Sequence, residues 1–135
     1  MRVVYLVLSV AIIGLGMFHI AAAPHFFPHL TAGALWFASG GLAIAFTGGF
    51  NLLNCAYGET AFGVRVVCLI ANVVTTCFAL LVGYVSRASA AQFVLVIGVI
   101  AGAGVLSVLP SARRGEERDS IPQSHQLDSI SFSRD

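Results

Sequence analysis

Three of the four histidines in the chain, His19, His25 and His29, fall inside one twelve-residue run, FHIAAAPHFFPH. Imidazole ligates transition metals and haem iron and titrates at about pH 6.5, so the trio offers a metal site, a haem ligand, an acid sensor or a substrate contact. Each option needs more than a count. His25 and His29 stand at helical i,i+4 spacing, but Pro28 removes a backbone donor between them and argues against a regular helix there. Zinc asks for a fourth ligand or a water, and no Cys, Asp or Glu lies near the run on that side. Haem in a bundle takes histidines from facing helices, and the later apolar segments contain none. We therefore expect polar anchors beside an aromatic patch of Phe26, Phe27, Trp36 and Phe37, the composition of a membrane interface. Metal or haem binding at His19, His25 and His29 is the alternative. No other cofactor is expected.

The second group is made of amides and hydroxyls. Arg65, Cys68, Asn72, Thr75, Thr76, Ala79 and Gly83 recur at helical spacing and form one polar and small face. A bare amide deep in hydrocarbon is costly, so this face should turn inward. Asn72 then makes an interhelical hydrogen bond, or with Thr75 and Thr76 it lines a path for a polar solute. Asn51 and Asn54 are expected to cap the preceding helix or bond the loop around Gly58, Glu59 and Thr60, and Glu59 can pair with Arg65. Cys68 and Cys77 are nine residues apart, about 13 Å along a helix, and are read as small packing residues. Cys55 is placed in a loop, and no C-x-x-C pair exists for thiol redox chemistry or zinc. Ser39 in FASGG has no histidine on a late segment to activate it, which leaves no nucleophile dyad.

The elements that must position these groups follow from composition. The 135 residues are 58% hydrophobic and only 10% charged, with a mean hydropathy of +0.91. A soluble domain carries about 25% charge. Nine of the 13 charged residues lie from Arg113 onward, and none lies between Arg2 and Glu59. Lysine is absent and the net charge is +1, which excludes a nucleic-acid surface. A hydrocarbon core of about 30 Å asks for about 20 apolar residues per crossing. Four segments qualify, at about residues 3–20, 30–53, 64–85 and 90–109. The expected fold is all-α: an integral membrane four-helix bundle over 1–110, followed by a polar, disordered cytoplasmic tail over 111–135. The first segment and Ala21–Ala23 imitate a signal peptide, but the apolar run is long and Pro24 would follow the cut, so retention is expected.

Arginine placement sets the orientation. With the N-terminus inside, Arg2, Arg65, Arg113, Arg114 and Arg118 face the cytoplasm and Arg87 alone faces out, so both termini are expected on the cytoplasmic side of a plasma (inner) membrane. Gly41, Ala45 and Gly49 on helix two, and Gly98 and Gly102 on helix four, stand four residues apart. Such small faces let helix backbones approach, and they make helices two and four the expected close pair, within one chain or across a homo-oligomer. No Asp or Glu lies in any span, although proton-coupled small exporters of this size depend on one. The expected function is non-enzymatic: a helix-packing accessory or scaffold component in the bilayer, alone or in a larger membrane complex. The alternative is an oligomeric transporter or channel for a small polar or ionic solute, with metal or haem binding at the histidine run as a lesser one.

Overall fold

The computed structural model describes residues 1–86 and 89–112, and the backbone alone at 92 and 93. Helices α1 (Arg2–Phe26), α2 (Ala32–Tyr57), α3 (Phe62–Ser86) and α4 (Ala90–Val108) follow one another and end in a 3-10 turn at Pro110–Ala112. Among the described residues there is no strand. Each helix packs on its neighbours in sequence and α4 closes against α1, while α2 and α4 barely meet across the diagonal. α1, α2 and α3 are long and apolar enough to cross a membrane; the apolar run within α4, Val94–Val108, is shorter. The expected tail lies outside the described residues beyond Ala112, as does Arg87.

Helix ends differ from expectation for local reasons. α1 runs six residues past Ile20 and takes in Pro24. A proline in the last turn lacks only one hydrogen bond, and Phe27 N–H still closes the helix on the Ala23 carbonyl at 2.9 Å. The bent connection thereby shrinks to residues 27–31. Pro28 falls within it, ahead of α2, whose N-cap is Thr31: the Thr31 hydroxyl accepts from Ala34 N–H at 3.2 Å. α2 continues to Tyr57, which puts Cys55 inside the helix rather than in a loop.

The close helix pair is α1 with α2, not α2 with α4. A Cβ on Gly16 would stand 2.5 Å from the Ala45 nitrogen and the Gly41 oxygen, and one on Gly41 would stand 2.8 Å from the Gly16 oxygen. Further along, a Cβ on Gly48 would stand 2.8 Å from the Ser9 oxygen. The contact stripe is thus Gly41, Ala45 and Gly48, and Gly49 has no neighbour within 4 Å of its Cβ position. Helical geometry explains the substitution: seven residues return to within about 20° of the starting face, whereas eight overshoot by about 80°. Gly98 is equally open, and Gly102 meets only a Leu8 methyl at 3.8 Å. On the described residues, α4 leans on α1 through side chains such as Leu8, so Gly98 and Gly102 give no close approach; Gly104 does, toward α3, where its Cβ position would be 3.3 Å from Asn72 Cβ.

The distribution of polarity is reversed from that of a water-soluble bundle. Tyr5, Ser9, Thr47, Asn51, Asn54, Asn72 and Ser107 are buried, while Phe18, Leu30, Trp36 and Tyr84 are each more than 70% exposed. So much apolar surface on the outside calls for a non-aqueous surrounding.

Candidate functional site

The buried polar groups converge at one end of the bundle. Asn51 on α2 and Asn72 on α3 form a reciprocal amide pair: Asn51 Nδ2 donates to Asn72 Oδ1 at 3.1 Å, and Asn72 Nδ2 donates to Asn51 Oδ1 at 2.9 Å. Each amide also donates to the carbonyl four residues back on its own helix, Thr47 at 2.9 Å and Cys68 at 2.8 Å. Asn51 Oδ1 accepts further from the Tyr5 hydroxyl at 2.9 Å and the Cys68 thiol at 3.3 Å. Tyr5 in turn accepts from Asn54 Nδ2 at 3.0 Å, and the other proton of that amide reaches the Ser107 carbonyl at 3.1 Å. One connected cluster therefore ties together all four helices. Above it, Thr47 spends its hydroxyl proton on the Ala43 carbonyl at 3.0 Å and so accepts from Thr75 at 2.7 Å.

Sequence spacing positions this cluster. Thr47, Asn51 and Asn54 are separated by four and three residues, as are Cys68, Asn72 and Thr75, so each set occupies one face. Asn54 and Asn51 are drawn into the core rather than capping α2 or bonding its loop. The Asn54 Oδ1 is enclosed and has no hydrogen-bond partner among the described residues. Thr76, expected beside Asn72 as a lining hydroxyl, turns back to its own helix and donates to the Asn72 carbonyl at 2.7 Å. Cys68 is a member of the polar cluster rather than an apolar filler, and Cys77 stands exposed. Arg65 lies over the Phe62 ring, 5.3 Å from its centre. Tyr5, Ser9 and Ser107 were not singled out from sequence. A signal was available for the first two: Tyr5, Ser9, Ile12 and Gly16 follow at spacings of four, three and four, one continuous face of α1.

At the other end, the histidines separate. His19 is half-buried and stacks on Phe37, with ring centres 3.9 Å apart and planes 17° from parallel. His25 and His29 are exposed, and His25 meets Phe26 edge-on at 5.5 Å. Phe26 and Phe27 each lie 5.7 Å from Phe37. Among the described residues no three His, Cys, Asp or Glu side chains gather as a metal site would require, so the expected alternative of a ligand set from His19, His25 and His29 is not assembled here. The helical reach of α1 through Pro24 is the cause: it fixes His19 on an inward face and carries His25 to an outer one.

Two concavities bear on transport. A groove of about 350 Å³ between α3 and α4 is bordered by Asn72, Thr76 and Gly104. A separate cleft of about 240 Å³ among all four helices is bordered by His19, Gly40, Ala79, Gly83, Ser86 and Val96. They have no lining residue in common, and Asn72 is only 2% exposed. Compared with protein-family models, curated proteins and solved structures, the chain matches none.

Proposed function

We propose that the protein is a non-enzymatic integral membrane component, a compact four-span scaffold or accessory subunit with both termini on the cytoplasmic side of a plasma membrane. The observation that carries this reading is the closed amide cluster. Asn72, the residue best placed to line a polar path, spends both its protons and its carbonyl oxygen on neighbours. A pathway residue must exchange partners with a passing solute, whereas an amide locked on two sides holds helices together. The apolar exterior supports residence in the bilayer, and the arginines at Arg2 and Arg65 support the inward orientation. Open small residues at Gly49 and Gly98 leave room for another helix, of a second copy or of a larger complex.

Reconstitution of the full chain into liposomes tests the proposal. Potassium, sodium, proton and chloride fluxes should match those of empty liposomes, and Asn72→Ala should leave them there. A saturable flux that falls with Asn72→Ala would establish the transport alternative instead.

A further inference from the structure

The cleft around His19 carries an inference that the amide cluster does not. A neutral imidazole presents one N–H donor and one nitrogen acceptor. Stacking on Phe37 fixes the plane of the ring, and neither ring nitrogen has a hydrogen-bond partner among the described residues. His19 lies seven residues inside the end of α1, about 10 Å along the axis. An unpaired polar group at such a depth is costly, so a partner should enter from outside the chain. Gly40 leaves the way open: its Cβ position would be 3.9 Å from His19 Nε2, and no other described atom outside its own helix comes within 4 Å of that position.

Water is a poor occupant for this space. A cleft of about 240 Å³ has the volume of about eight water molecules. Yet a buried water needs two to four polar partners, and among the described residues that line the cleft only Ser86 offers a polar side chain besides His19. An apolar body with a single hydroxyl answers both features, since hydrocarbon matches the Ile44, Ala79 and Val96 walls and a hydroxyl satisfies either imidazole tautomer. The geometry points to this cleft as a binding site for a compact, one- or two-ring alcohol or phenol, its hydroxyl bonded to His19 and its rings among α2, α3 and α4.

The test uses the full chain in lipid nanodiscs, with 2-naphthol as the probe and naphthalene as the same shape without the hydroxyl. Calorimetry corrected for empty nanodiscs should show saturable binding of one 2-naphthol per chain, with naphthalene weaker by about tenfold, the worth of one buried hydrogen bond. His19→Phe keeps an aromatic ring on Phe37 but removes both nitrogens, and it should bring the two probes to equal affinity. Gly40→Leu, which fills the cleft, should abolish binding of both. Binding of 2-naphthol no greater than to empty nanodiscs would overturn the inference. So would equal affinity for the two probes in the parent chain, or unchanged 2-naphthol binding in both variants.

Discussion

At the scale of single residues, the chain buries polar side chains and pairs most of them, Asn54 Oδ1 being an exception. Asn51 and Asn72 each complete the hydrogen bonding of the other, and Tyr5 links that pair to Asn54. Removing one partner strands the rest, which costs about 1–3 kcal/mol where the stranded group is buried. Asn72→Leu and Tyr5→Phe should each destabilise the bundle by that amount in reversible unfolding from mixed micelles. Asn51→Leu with Asn72→Leu should cost less than the two single changes summed, by about 0.6–2 kcal/mol. Strict additivity would show that the amides do not pair. Thr76→Val provides the contrast: the hydroxyl bonds only its own helix, so the change should stay within about 0.5 kcal/mol.

Helices meet in two different ways here, by backbone approach and by side-chain contact. α1 and α2 touch through Gly16, Gly41 and Gly48, where an added methyl would collide with backbone atoms that have no room to yield. Gly16→Ala and Gly48→Ala should therefore destabilise by about 1–3 kcal/mol, the usual cost of overpacking. Gly49→Ala and Gly98→Ala should have the opposite sign within an isolated chain, since both Cβ positions are open and alanine favours helix by about 0.5–1 kcal/mol. One unfolding series across the four variants checks the division. Loss of oligomerisation or complex assembly in Gly98→Ala, with the monomer fold intact, would mark the α4 face as an intermolecular contact. The α1 C-terminus shows a further balance at this scale: Pro24 is tolerated because it sits where little helical hydrogen bonding remains to be broken.

For the molecule as a whole, the sorting of polar side chains inward and apolar ones outward predicts residence in a bilayer. Reporters that require an oxidising exterior, fused at either terminus, should remain inactive if both ends face the cytoplasm; activity at one end alone would require an odd number of crossings. The helical class, the segment positions and the inward turn of Asn72 were legible in sequence because they depend on local apolar length and on the cost of a bare amide in hydrocarbon. Helix ends were less so, as with Pro24 and Thr31, because a helix continues past a proline when its remaining bonds can be closed. The partnering of helices was not legible. Gly41 and Ala45 announced a close contact, but only the tertiary structure decided that Gly16 of α1 fills it, and that Gly48 rather than Gly49 completes the stripe. In the same way, three histidines in one run suggested a shared site, and the packing of α1 sent His19 inward to Phe37 and His25 outward to Phe26. Sequence determined what had to be buried, since burial follows from the solvation of each group. The fold alone decided what each buried group meets, because that depends on the relative rotation of helices distant along the chain.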